Sequence, residues 1–147
     1  MKNFNVRVYG ILLNEKQEVL VSDERAYGMD FTKFPGGGLE YGEGLADALR
    51  REFMEECGVS ITIVRHVFTT DHFQQSAFDN SQIIAVYYLV EANGSLNHLH
   101  TGTHPFDFGG RRPADQVFRW VSSRQLQTAD LTFDTDKFAW QAFRAQP

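Results

Sequence analysis

The sequence predicts an α/β sandwich, with a mixed β-sheet held between helices. Runs rich in apolar, β-branched and aromatic residues recur at Phe4–Leu13, Ile61–Thr70, Ser81–Glu91 and Gln116–Val121, the signature of strands. Two other segments, one after Gly44 and one near the C-terminus, change to a helical period. The two patterns alternate without a linker or internal repeat, which is the order of a mixed layer architecture.

Phe4–Leu13 and Glu18–Val21 are separated by NEKQ, so this pair reads as a hairpin. A short segment, Phe31–Phe34, runs into Pro35 and the glycines 36–38. Ala46, Leu49, Phe53 and Cys57 then recur at spacings of three, four and four, an apolar stripe along one helix. Gly44 suits its N-cap and Gly58 its C′ position. After the strands at Ile61–Thr70 and Ser81–Glu91, which flank the polar loop DHFQQSAFDN, residues 92–114 show little periodicity and read as a long loop. Gln116–Val121 is the last predicted strand, and Ser122-Ser123 opens a short helical turn. Thr135 or Asp136 caps a C-terminal helix whose large apolar residues are Phe138, Trp140 and Phe143.

The 147 residues are expected to form one domain, 1–147, and 42% hydrophobic content can fill its core. A formal charge of −5 gives no general attraction to a nucleic acid polymer or an anionic membrane. No apolar stretch approaches a transmembrane span, and Asn3, Asn5 and Arg7 interrupt any signal-peptide core. A single cysteine, Cys57, fits a reducing compartment, so the expected location is the cytoplasm and the Asn93-Gly94-Ser95 sequon reads as a turn.

The chemistry concentrates between Pro35 and Val59, PGGGLEYGEGLADALRREFMEECGV. At about 100° per helical residue, Glu55 and Glu56 project within roughly 60° of Glu52 on either side. The three acids share a face that borders the apolar stripe. Like charges at Glu52 and Glu56 destabilise an exposed helix by about 0.2–0.5 kcal/mol, and more when partly buried. A hard divalent cation such as Mg²⁺ removes that conflict, because it binds carboxylate oxygens and substrate phosphates together. The glycines allow a sharp bend and bring bare peptide groups, including a backbone carbonyl, close to such a ligand.

Read as spacing, the stretch is Gly37, five residues, Glu43, seven residues, then Arg51-Glu52-Phe53-x-Glu55-Glu56-x-Gly58-Val59. This chain thereby resembles the Nudix hydrolases, whose box it matches at every defined position. From average residue usage such a match arises by chance in this chain less than about once in ten million. The flanking order of strands, loop and C-terminal helix fits the family's α/β/α sandwich.

The resemblance implies a loop–helix–loop that binds Mg²⁺ or Mn²⁺ through Glu52, Glu55, Glu56 and the carbonyl of Gly36. It implies a supporting role for Gly37 and for the pair Arg51 and Glu43, which lock loop to helix. The implied reaction is attack of water on the pyrophosphate linkage of a nucleoside diphosphate derivative. Glu52 or Glu55 is implied as general base; a family acid placed shortly before a tryptophan-containing strand corresponds to Asp115, five residues before Trp120. Glu52 is favoured, with Asp115 second. The implied partner is a small nucleotide, and a homodimer stays open because many relatives are dimers.

Outside the box, Arg25 and Lys33 lie just upstream of the glycines and are candidates for phosphate oxygens. Phe31, Tyr41, Phe73 and Phe78 are candidates to stack on a base. His98, His100 and His104 lie close together, but without cysteines or a second ligand pair they read as a polar loop. Cys57, on the apolar stripe, reads as a packed thiol. Substrate choice is not encoded in the box. The family's downstream markers for ADP-ribose (proline) and dinucleoside polyphosphates (tyrosine) are both missing from DHFQQSAF, as is the upstream coenzyme A marker. These absences weaken those three assignments without excluding them, and nucleoside triphosphates, oxidised nucleotides and nucleotide sugars all stay open. A non-catalytic nucleotide-binding module with the same fold is the alternative, which the presence of every box acid disfavours.

Overall fold

A computed structural model of the chain describes residues 2–109 and 115–146. Its elements run β1 (Phe4–Leu12), β2 (Glu18–Ala26), β3 (Met29–Lys33), β4 (Gly36–Gly38), α1 (Leu45–Cys57), β5 (Ile61–Thr69), β6 (Gln82–Ala92), β7 (Gln116–Ser122), a 3-10 turn (Thr128–Asp130) and α2 (Asp134–Ala145). The strands divide into a mixed four-stranded sheet, ordered β4-β1-β6-β5, and an antiparallel three-stranded sheet, ordered β3-β2-β7. In the first, β1 runs parallel to β6 and antiparallel to β4.

β1 alternates its burial between two cores. Val8 and Leu12 pack with Leu49, Phe53 and Cys57 of α1, whereas Tyr9 and Ile11 pack with Ala139 and Trp140 of α2. Successive strand residues point to opposite faces, so the two helices cover opposite sides of the molecule, as an α/β/α sandwich requires.

The expected β1–β2 hairpin does not form as a ladder. The chain turns at Asn14–Gln17, keeps one bridge between Leu13 and Val19, and then sends the two strands into different sheets. The reason is burial: Val8 through Leu12 are all buried, and a strand buried on both faces gains more between β4 and β6 than as one arm of a hairpin. β2 also runs past Val21 to Ala26, where its true hairpin partner is β3 across Tyr27-Gly28.

α1 begins at the Gly44 N-cap and ends at Gly58, whose backbone is left-handed with φ 62°, as the sequence implied. Ala48 is buried in its stripe beside Leu49, Phe53 and Cys57, while Ala46 is only half-buried. The C-terminal helix starts earlier than expected. Phe133 is its N-cap, and Thr135 and Asp136 lie buried inside the first turn. Trp140 is fully buried and its indole N–H donates to Leu126 O at 2.9 Å, but Phe138 stays 44% exposed because it faces away from that core. Ser122-Ser123 forms a turn without a helix; the nearest helical turn is Thr128–Asp130, closed by Gln127 and Asp130. Of the 92–114 loop, residues 110–114 lie outside the described residues. The rest holds no regular element yet is docked: Thr101 bridges Phe118, Gly102 N–H donates to Phe118 O, and Phe106 N–H donates to Asp23.

Candidate active site

The glycine strand β4 lies against β1 so tightly that side chains are excluded. A Cβ on Gly36, where φ is 148°, would collide with Val8 O and stand 2.7 Å from Tyr9 Cα. One on Gly37 would stand 2.5 Å from Glu52 Oε1. Glu52 therefore occupies the space a side chain at residue 37 would take, which brings bare peptide groups beside its carboxylate.

Arg51 ties loop to helix. Its Nε and Nη2 reach the two Glu43 oxygens at 3.0 and 2.7 Å, and Nη2 also donates to Gly38 O at 3.0 Å. Nη1 donates to Glu52 Oε1 at 3.0 Å and to Glu55 Oε2 at 3.4 Å. A planar guanidinium suits such a forked arrangement. Glu43's hydrogen bonds, first from Arg51, hold its carboxyl below the usual range, and the same pairing raises Arg51.

Glu56 differs. It is half-buried: Oε1 accepts from Gln116 Nε2 at 3.2 Å, but Oε2 is buried and, among the described residues, has no hydrogen-bond partner. Burial pushes its carboxyl up, and nearby Lys33 and the Gln116 hydrogen bond oppose that. Among the described residues no group of three acids converges to hold a metal; Glu52 and Glu55 lean on Arg51 instead. The residues nevertheless fit a hard divalent cation. Their donors are carboxylate and carbonyl oxygens, and the orphaned Glu56 oxygen is the kind of buried group that a cation satisfies.

Beside these acids lies a cavity of about 260 Å³. Tyr27, Phe31, Phe78 and Phe133 wall one end, with ring centroids 5.2 to 5.9 Å apart between neighbours. Arg7, Glu24 and Lys33 line the other. Lys33 Nζ sits 3.1 Å from Glu24 Oε2 and 5.4 Å from the Tyr9 ring centroid. Burial lowers the Lys33 pKa, but Glu24, Tyr9 and Glu56 outweigh it and the net direction is upward. Arg7 is raised on balance too: burial pulls it down, and Tyr9, Glu52 and Glu24 prevail. These two cations thus lie in the field of the box acids. A larger open groove, about 1000 Å³, lies near the end of β1 beside Trp120; no box residue lines either hollow, and only the first holds cations, Arg7 and Lys33, in the field of the box acids.

The structure separates the residues singled out from sequence. Glu43, Glu52 and Glu55 gather around Arg51, with Gly37 of β4 against Glu52, whereas Glu56 turns to Gln116 of β7 and Gly36 packs on β1. Lys33 lines the cavity, ion-paired with Glu24. Arg25 lies on the other face of β2, where it pairs with Asp30 at 2.7 Å and covers the Phe108 ring at 4.7 Å. Asp115 is exposed just before β7, and its carbonyl accepts from Arg25 N–H at 2.8 Å. Phe31 and Phe78 line the cavity; Tyr41 and Phe73 do not and are exposed. His98 caps α1 by bonding Cys57 O at 2.7 Å, and burial pushes the Cys57 thiol up to about 12. Sequence reasoning missed Arg7, Glu24, Tyr27, Gln116 and Phe133. Only the alternation of Ser22 and Glu24 at strand period could have pointed to a shared polar face.

A NUDIX domain model matches residues 3–141. The chain belongs to the Nudix hydrolase family. Its fold is similar to the solution structure of the E. coli ORF135 protein, at 21% identity with a TM-score of 0.72, covering 98% of this chain and 91% of that one. It is also similar to a NUDIX hydrolase from Nitrosomonas europaea, at 18% identity and TM-score 0.70 over 97% and 90% of the two chains. A MutT protein from Methanosarcina mazei Go1 gives 18% identity and TM-score 0.66 over 98% and 96%. None of the curated proteins matches the chain. Nudix hydrolases as a family cleave pyrophosphate linkages and generally use divalent metals. Among the described residues no helix is long and apolar enough to cross a membrane.

Proposed function

We propose that this Nudix hydrolase, acting as one domain over residues 1–147, cleaves the pyrophosphate linkage of a free nucleotide: a nucleoside triphosphate, an oxidised nucleotide or a nucleotide sugar. The observation that supports it is a buried, unsatisfied oxygen of Glu56 on the box helix, near Lys33, which lines an aromatic-walled cavity. Glu52, Glu55, Glu56 and the carbonyl of Gly36 would hold Mg²⁺ or Mn²⁺. When bound, the metal neutralises charge on the phosphates and lowers the pKa of water. Arg51 and Glu43 hold the loop against α1, and Gly37 leaves room for Glu52. Arg7 and Lys33 face the phosphate oxygens, while Phe31 and Phe78 offer flat surfaces to the base.

In the reaction the water oxygen bonds to one phosphorus as its bond to the bridging oxygen breaks, and the departing phosphate keeps that electron pair. Glu52 takes the proton of the attacking water; Asp115 is the second candidate for that role. A panel of nucleoside triphosphates, oxidised nucleotides and nucleotide sugars, followed by phosphorus NMR with and without Mg²⁺, tests this. Metal-dependent cleavage of at least one compound is expected. Tight binding with no turnover of any compound would contradict it.

A further inference from the structure

Gln116 opens β7 and places its side-chain amide between two polar groups. Nε2 donates to Glu56 Oε1 at 3.2 Å and to Ser22 Oγ at 3.1 Å. Ser22 Oγ donates in turn to Glu24 Oε2 at 2.8 Å, the same oxygen that stands 3.1 Å from Lys33 Nζ. These side chains form one hydrogen-bonded line. At one end of this line Lys33 and Glu24 border the cavity; at its other end stands Glu56, which does not line it.

The groups themselves fix the direction of each proton. Carboxylates accept and an ammonium donates, so the single Ser22 proton goes to Glu24 and its oxygen must accept from Gln116. That need orients the amide: nitrogen, with its two protons, faces Ser22 and Glu56, and the carbonyl oxygen points elsewhere. Glu56 Oε1 is thereby a committed acceptor, held in one rotational position from β7 and β2. Oε2 on the same carboxylate is left buried and without a partner among the described residues.

We propose that Gln116 is a positioning residue for the cation site: braced by Ser22, its amide anchors Glu56 Oε1 and so presents Oε2 to the divalent metal. The inference rests on the reading of Glu56 as a ligand. It also gives Ser22 a role that no Nudix-box residue supplies. Hydrogen bonds that orient a ligand are typically worth 10–100-fold in metal affinity.

The test titrates the protein with Mn²⁺ alone and follows free Mn²⁺ by electron paramagnetic resonance. Gln116→Met, which keeps the shape and removes the donor, should weaken Mn²⁺ binding about tenfold or more. For whichever nucleotide is cleaved, kcat should fall while KM stays within about twofold. Ser22→Ala should shift both in the same direction by less, and adding it to Gln116→Met should have little further effect, since it acts through the amide. It also provides a second route if Gln116→Met folds poorly, as judged by circular dichroism. A lower melting temperature with unchanged Mn²⁺ affinity in both variants would show a merely structural role and overturn the inference while leaving Glu56 a ligand. If Glu56→Gln binds Mn²⁺ as well as the wild type does, the ligand reading fails and the inference falls with it.

Discussion

Two ion pairs sit one residue apart on β2 and face opposite sides of the three-stranded sheet. On one side Asp23 is fully buried and takes Arg119 through both oxygens, at 2.8 and 3.2 Å. Thr32 Oγ1 at 2.6 Å and Phe106 N–H at 3.2 Å complete it, so each Asp23 oxygen has two donors. On the other side Glu24 and Lys33 make one ion contact at 3.1 Å and open onto the cavity. Beyond them, Glu56 keeps an oxygen with no partner among the described residues. The alternation of a strand separates the two faces. A buried charge whose every acceptor is filled belongs to the scaffold. One left incomplete beside a cavity is held for a ligand.

Breaking the incomplete side should have the largest effect on activity. Glu52→Gln is expected to lower kcat at least ~10²-fold, with melting temperature nearly unchanged. Glu56→Gln should lower it comparably and leave stability equal or higher, because a neutral amide replaces a buried charge. Steady-state kinetics beside thermal melts check both. Breaking the complete side should do the reverse. Asp23→Ala strands a buried guanidinium and should cost ~3–5 kcal/mol in urea unfolding, with kcat of the folded fraction preserved.

A comparable effect on stability, but one graded with pH, is expected from Asp136, which is buried and accepts from Tyr87 Oη at 2.8 Å. Burial pushes its carboxyl up from 3.8 to about 7, and the Tyr87 hydrogen bond, Lys33 and Arg7 only partly oppose this. The native state therefore keeps a proton that the unfolded chain has lost. The penalty is absent below the unfolded value and grows as pH rises towards the folded one, at ~1.4 kcal/mol for each pKa unit of separation. Melting temperature should fall across that window in the wild type, and Asp136→Asn should flatten the slope. Smallest of all, Arg25→Ala removes an exposed pair with Asp30, and neither melting temperature nor kcat should change measurably.

What was legible in the sequence was what is local. Cap, stripe and stop of α1 lie within Gly44–Gly58, and helix geometry alone places Glu52, Glu55 and Glu56 on one side of it, while their role comes from the resemblance. The need for glycine at residue 37 is visible only once Glu52 is seen folded against it. The partition of β1 and β2 into two sheets was not legible, because it depends on β6, seventy residues away in sequence, pairing alongside Phe4–Leu12. Gln116 and Glu24 were missed for the same reason: each reads as an ordinary polar strand residue until β2, β7 and α1 meet. Arg25 was overvalued, since its nearness to the glycines in sequence hid the strand alternation that turns it away from Lys33.

Anomalous diffraction from crystals soaked in Mn²⁺ addresses the central claim most directly. A peak at coordination distance, about 2.0–2.2 Å, from Glu56 Oε2 and shared with Glu52 is the expected result. A peak that avoids Glu56, or none at occupancies where the protein binds Mn²⁺ in solution, would contradict the account.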